Sequence, residues 1–86
     1  MSKLIDPKEF GLPAGTVMEQ IDAGKIAIVI DRKSRIIMAD GKEIAVKAEK
    51  IKEALPLMTI ALKTSAAVCG KTIKFLAGKG IQVIRF

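Results

Sequence analysis

The stretch SAAVCGKT, residues 65–72, differs by one residue from a phosphate-binding loop. With Gly in place of Ser65 it would read G-x-x-x-x-G-K-T, a pattern in which backbone N–H groups surround the phosphates, Lys contacts the terminal phosphates and Thr binds magnesium. Ser is also a good helix N-cap, and the Ala-Ala-Val that follows suits a helix or a core better than a loop. The stretch therefore predicts either an anion site or a capped helix with Lys71 and Lys74 in solvent.

The rest of the chain does not complete a nucleotidase. Such an enzyme needs an acidic residue at a strand end to hold its metal ion, and Asp31, which ends IVID, lies N-terminal to the stretch. A helix N-terminus still attracts anions through its unpaired N–H groups and its dipole. In a parallel sheet it lies at the carboxyl ends of the strands, where α/β domains bind ligands. We expect an anion site formed by Lys63, Thr64, Ser65, Lys71 and Lys74.

Cys69 invites a redox interpretation. The segment TIALKTSAAVCGKTIKFLAGKGI is similar to the strand–Cys–helix–Gly segment of glutaredoxins, with Cys69 at the second position of the C-x-x-C pair and Ala66 at the first. Glutaredoxins that have one cysteine keep the first, and the later cis-proline segment has no room here, so the resemblance implies no thiol activity. A cysteine in a first helical turn can have a lowered pKa, but Cys69 falls on the apolar stripe of the predicted helix, which favours a buried position.

The absence of histidine excludes several kinds of site. With one Cys and no His, a zinc site of the usual ligands cannot form, and neither can a Ser-His or Cys-His nucleophile pair. Asp31, Asp40, Glu43 and Lys47 are the residue types of a metal-dependent nuclease. Asp31 and Asp40 are better explained as turn and cap residues. We therefore expect no catalytic residues, no metal and no cofactor, and we favour a function other than catalysis.

The positive charge is concentrated in one part of the chain. The formal net charge is +6, and no acidic residue occurs after position 53. Such asymmetry favours an anionic partner, either nucleic acid or a nucleotide phosphate, bound mainly by electrostatics. Against nucleic acid, the chain has three Phe and no Trp or Tyr, so it offers few platforms for stacking bases. The basic residues of this part are Lys63, Lys71, Lys74, Lys79 and Arg85.

The high apolar content supports an alternative function. Half of the residues are apolar, which indicates either strands buried on both faces or a subunit interface. The last segment, IQVIRF, predicts a strand that could form an open sheet edge and pair with another chain. The alternative is therefore a protein-interaction or homo-oligomerising module, whose association should resist salt. A nucleotide- or thiol-dependent enzyme is the second alternative.

The length of 86 residues predicts one domain. Residues 1–15 contain two Pro and two Gly and indicate an irregular lead-in, so we place the domain at residues 16–86. No apolar run approaches the ~18 residues that span a bilayer, and no signal sequence is recognisable, so we expect no membrane association. A single cysteine is typical of the reducing cytoplasm.

The apolar patterns predict an α/β fold. The continuous β-branched run at 26–30 predicts a central strand, and Asp40 with Glu43 predicts the start of a helix that ends at Pro56. The order is ββαβαβ, with a mixed, mostly parallel four-stranded sheet and two main helices. The remaining expected elements are a short helix at 17–23, a strand at 35–39 in a hairpin with the first, a strand at 58–64, a helix capped by Ser65 and a strand at 81–86.

Overall fold

A five-stranded mixed sheet forms around the β-branched run KIAIVI. The computed structural model describes residues 3–13 and 15–86. The strands follow one another across the sheet in chain order, with antiparallel pairing between the first three and parallel pairing between the last three. They are β1 (Lys3–Ile5), β2 (Val17–Asp22), β3 (Lys25–Ile30), β4 (Thr59–Thr64) and β5 (Gln82–Arg85), and the helices are α1 (Met38–Ala54), α2 (Gly70–Gly78) and a 3-10 helix (Pro7–Phe10).

The predicted α/β domain with a mixed sheet and two main helices is confirmed, but the sheet has five strands rather than four. The extra strands lie at the N-terminal side, where β1 pairs with β2. Residues 17–23, predicted to be a helix, form β2 instead. The reason is the turn that follows: the Asp22 carboxylate accepts a hydrogen bond from the Gly24 N–H at 2.9 Å. This closes a two-residue hairpin loop and pairs β2 with the free edge of β3.

The second predicted strand, residues 35–39, is also wrong. Ile36 makes a single parallel bridge to Val68 and is fully buried, while Ile37 is exposed and α1 already begins at Met38. The segment is too short to pair as a strand because the helix starts directly after it. The Asp40 carboxylate accepts a hydrogen bond from the Ile37 N–H and so fixes the first turn of the helix. The order ββαβαβ therefore becomes βββαβαβ, in which two crossovers join the last three strands.

Both helices cover the same face of the sheet. The crossovers β3–α1–β4 and β4–α2–β5 step across the sheet in the same direction, so right-handed connections place α1 and α2 side by side. The core lies between these helices and the inward residues of the strands; its largest fully buried apolar side chains are Met18, Ile26, Ile28, Ile36, Ile51, Ile60, Leu62, Leu76 and Ile81. The opposite side, called the open face below, carries residues such as Val17, Glu19, Val29, Lys63 and Ile84.

The two helices approach closely at Gly41. A Cβ atom at this position would lie 2.8 Å from the Thr72 Cγ2 and 3.7 Å from the Phe75 ring. Thr72 is fully buried and β-branched, so its methyl group cannot easily rotate away. Glycine is therefore required by the contact between α1 and α2, although it is a poor helix former.

Gly41→Ala should lower the free energy of unfolding. Alanine is the better helix former by about 1 kcal/mol, but overpacking of a tight contact costs about 1–3 kcal/mol. We expect a net loss of about 1 kcal/mol in urea denaturation. In a Thr72→Ser background, which removes the opposing methyl group, the same change should be neutral or stabilising. A loss of equal size in both backgrounds would contradict the proposed contact.

The start of α1 is fixed by Asp40. Its carboxylate accepts hydrogen bonds from the Ile37 N–H at 2.9 Å and from the Arg32 guanidinium at 2.7 Å. Arg32 also donates to the carbonyl groups of Ser34 and Arg35, and so it holds the loop before the helix. The Arg32 hydrogen bond and the Ile37 N–H hold the pKa of Asp40 below its ordinary value.

Asp40→Asn should destabilise the protein by about 1 kcal/mol at pH 7, the usual cost of losing a helix-start carboxylate in a partly exposed pair. Because the pKa of Asp40 is lower in the folded state, the stabilisation is complete above about pH 4 and disappears as the pH falls through the folded-state value. Urea denaturation at pH 7 and near pH 2 measures the difference. Glu49→Gln, the same charge change on an exposed part of α1, is the control and should have little effect at pH 7.

Candidate functional site

The loops after β3 and β4 lie side by side. The Ile36 N–H donates to the Ala67 carbonyl at 2.8 Å, and the Cys69 N–H donates to the Ile36 carbonyl at 3.0 Å. Because β3 and β4 are parallel, both loops lie at the same end of the sheet and each leads into a helix. We call this region the carboxyl edge; it consists of loops 31–37 and 65–69, the first turns of α1 and α2, and Arg85 at the end of β5.

The hydroxyl groups of Thr64 and Ser65 are engaged within this edge. Thr64 is buried, and its Oγ1 donates to the Ile30 carbonyl at 2.7 Å and accepts from the Ala66 N–H at 3.0 Å. The Ser65 Oγ donates to the Asp31 carboxylate at 2.5 Å. The expectation that Ser65 caps α2 is therefore wrong: its hydroxyl is bound to Asp31, the next residues form a loop paired with Ile36, and the helix begins at Gly70.

The N-terminus of α2 has no side-chain cap. Cys69 occupies the N-cap position and makes no well-formed capping hydrogen bond through its side chain, and the first turn contains no acidic residue. The N–H groups of the first turn have no partner inside the helix. This helix end therefore presents donors and a positive dipole at the carboxyl edge.

The lysines predicted for the anion site do not all lie together. Lys71 is exposed in the first turn of α2, and Lys74 is exposed one turn further along. Lys63 is on the open face, where its Nζ lies 2.8 Å from the Glu19 carboxylate and 5.7 Å from the centre of the Phe86 ring. The structure thus brings Thr64, Ser65 and Lys71 to the carboxyl edge and places Lys63 on the other side of the sheet.

Arginines supply the cations that the sequence analysis did not assign to this site. The carboxyl edge contains five cationic residues and two carboxylates, and both carboxylates are engaged, Asp31 by Ser65 and Asp40 by Arg32. Among the described residues, four of the cations make no ion pair. The signal was the run DRKSR, residues 31–35, which contains three cations; its last residue was predicted to start a strand rather than to lie in a loop before a helix. The five cations are Arg32, Lys33, Arg35, Lys71 and Arg85.

Cys69 is not a core residue. It is partly exposed at the N-cap of α2 rather than on the buried stripe, because the helix starts four residues later than Ser65 would place it. The backbone N–H groups of Lys71 and Thr72 lower the pKa of the Cys69 thiol, and the Thr72 hydroxyl and the positive charge of Arg35 add to this. The thiol therefore titrates closer to neutral pH than an ordinary cysteine.

Among residues 3–13 and 15–86, no three His, Cys, Asp or Glu side chains lie close enough to hold a metal ion together. None of the helices that the structure describes has both the length and the apolar character required to cross a membrane.

Comparison of the chain with models of protein families, with curated proteins and with solved structures found no match in any of the three.

Proposed function

We propose that this protein is a small non-enzymatic domain that binds a phosphate-bearing ligand, a nucleotide or a nucleic acid, at the carboxyl edge. The observation that carries the proposal is the uncapped N-terminus of α2 among cations that have no ion-pair partner in the described part of the chain. A phosphate group accepts hydrogen bonds from helix N–H groups and is stabilised by the helix dipole. The reducing cytoplasm is the proposed location, since the 86 residues contain one cysteine and so form no disulfide among themselves.

Charge at the edge favours an anion in spite of two nearby acidic residues. Asp40 is paired with Arg32, and Asp31 accepts a hydrogen bond from Ser65, so neither carboxylate faces the ligand without a partner. The charge of Arg35 acts on the Cys69 sulfur, and Lys71 is exposed in the first turn of α2. An Arg can bind a phosphate through two parallel N–H groups, whereas a Lys acts as a point charge.

The residues predicted from the sequence have different roles in this proposal. Lys71 contacts the ligand directly, and Lys74 extends the positive surface along α2. Thr64 and Ser65 hold the loop in place, since their hydroxyl groups are engaged with Ile30 and Asp31. Lys63 lies on the open face rather than at the carboxyl edge. It would therefore contribute only to the binding of a longer, polymeric ligand.

A polymeric ligand would meet one aromatic surface. Phe86 is 57% exposed beside Lys63, and its N–H donates to the Thr64 carbonyl at 3.1 Å, so the ring projects from the same end of the sheet. Stacking of a base on such a ring is worth about 1–3 kcal/mol. A nucleic acid should therefore lose affinity when Phe86 is replaced, whereas inorganic phosphate should not.

Binding is tested with a fluorescein-labelled single-stranded oligonucleotide, ATP and inorganic phosphate as competitors. Arg35→Gln and Lys71→Gln should each weaken binding several-fold, and each should reduce the slope of log affinity against log salt by about one. Lys79→Gln removes the same charge at the opposite end of α2 and should leave binding unchanged. Equal losses from Lys71→Gln and Lys79→Gln would show that net charge, not the carboxyl edge, causes binding.

The open face supports the alternative of an interaction module. Leu4 is 73% exposed and Val17 is 48% exposed on this face, and the described residues place no helix over it. The hydrogen-bonded pairs Lys63–Glu19 and Lys25–Gln82 cross its centre. The exposed apolar side chains therefore form a rim around a polar centre, an arrangement that suits a modest interface rather than a large one.

For this alternative, the chain should sediment as a concentration-dependent dimer in analytical ultracentrifugation, including at 1 M NaCl. Val17→Lys would place a charge in the interface and should return the protein to a monomer, while Val46→Lys, an equally exposed valine on α1, should not. A monomer at all concentrations of the unsubstituted chain argues against the alternative.

A further inference from the structure

We propose that Cys69 is a reactive thiol that undergoes exchange with small anionic disulfides, so that the protein carries a reversible mixed disulfide at the carboxyl edge. The modification uses the same helix end as the proposed phosphate binding, but it does not require phosphate to bind. The proposal rests on the position of the sulfur at a helix N-terminus, on a buried hydroxyl group beside it and on the charge around it.

The first observation is the position of the sulfur. Cys69 is the N-cap of a nine-residue helix and is partly exposed, so a small molecule can reach it. A side chain at the N-cap lies next to the N–H groups of the first helical turn, and those of Lys71 and Thr72 lower the pKa of the Cys69 thiol. Donors at this place stabilise a negative charge on sulfur, and the thiolate is the form of cysteine that attacks disulfides.

The second observation is the Thr72 hydroxyl. Thr72 is fully buried, and its Oγ1 makes no hydrogen bond to any other residue that the structure describes. Its methyl group faces Gly41 of α1, and the hydroxyl lies beside the Cys69 sulfur, where it helps to stabilise the thiolate. A buried hydroxyl without an acceptor is destabilising, since it has lost its hydrogen bond to water. A thiolate at Cys69 supplies that acceptor, so the charged sulfur and the hydroxyl stabilise each other.

The third observation is the electrostatic surrounding. Arg35, in the loop paired with loop 65–69, is the charged side chain that acts on the sulfur. The nearby carboxylates, Asp31 and Asp40, are bound by Ser65 and Arg32. An anionic disulfide is therefore attracted to the sulfur more strongly than a neutral one.

The exchange needs no reactant other than the Cys69 thiolate and the small disulfide. The Cys69 thiolate attacks one sulfur of the small disulfide, the original S–S bond breaks, and the leaving thiolate carries away the electron pair and takes a proton from water. The new S–S bond joins Cys69 to half of the reagent. The 86 residues contain no second cysteine, so the bond stays until an external thiol attacks it.

Reactivity is measured on the full chain with oxidised glutathione, which is anionic, and with bis(2-hydroxyethyl) disulfide, which is neutral. Intact-mass spectrometry follows the gain of one half-reagent and its loss on reduction. The control is the double substitution Ala67→Cys with Cys69→Ser, which moves the thiol two residues back into the exposed loop, before the helix. At pH 7 we expect Cys69 to react at least about threefold faster than the control thiol with the neutral reagent, because a larger thiolate fraction outweighs a lower intrinsic nucleophilicity.

Three substitutions test the structural basis. Thr72→Val removes the hydroxyl and should slow the reaction, while Thr72→Ser retains the hydroxyl and should keep the rate. The pH at which the thiolate absorption near 240 nm appears should rise in the Val variant and stay unchanged in the Ser variant. Thr72→Val should leave the unfolding temperature unchanged or higher, since no hydrogen bond to another residue is lost. Arg35→Gln should abolish the preference for the anionic reagent.

Equal rates for Cys69 and the control thiol, or equal rates in the Val and Ser variants, would overturn the proposal. An absent preference for oxidised glutathione would overturn its anionic specificity. The outcome is separable from the proposed function, because the neutral reagent reports on the thiol even if phosphate does not bind, and phosphate binding can be measured in Cys69→Ser.

Discussion

The close contact between α1 and α2 at Gly41 is the constraint on which the carboxyl edge depends. A side chain at this position would collide with Thr72, so only glycine allows the first turns of the two helices to pack together. The bridge between Ile36 and Val68 then joins the loops that lead into them. Together these contacts bring two helix N-termini, the DRKSR loop and Cys69 to one end of the sheet.

The chemistry of that end of the sheet follows from the polar groups that these contacts leave without a hydrogen-bond partner. The Asp40 carboxylate fixes the start of α1 and binds Arg32. The Ser65 hydroxyl is bound to Asp31, so α2 begins without a cap. The N–H donors at its N-terminus, with Arg35 and Lys71 in the same region, favour negative charge. A bound phosphate and a Cys69 thiolate each place negative charge at the same helix end. An anion bound there should therefore slow the reaction of the thiol.

The sequence was sufficient for the fold class and for the elements whose pattern is purely local. The β-branched run of β3, the helix that ends before Pro56 and the strand before Ser65 were predicted because β-branched runs, helical spacing and proline act over a few residues. β2 was missed because its pairing depends on a turn at Asp22–Gly24 and on the free edge of β3. The start of α2 and the exposure of Cys69 were missed because Ser65 is bound by Asp31, more than thirty residues away in the chain. Arg35 was missed for the same kind of reason, since its place beside Cys69 comes from the pairing of two loops.

The most direct test of the central claim is an NMR titration of backbone amide shifts with inorganic phosphate at fixed ionic strength. We predict saturable shifts for the amides of Gly70, Lys71 and Thr72 and for the loop around Arg35, with little change at the other end of α2 near Lys79. Shifts spread evenly over all basic residues, or centred on the open face around Lys63, would show that the carboxyl edge is not an anion site.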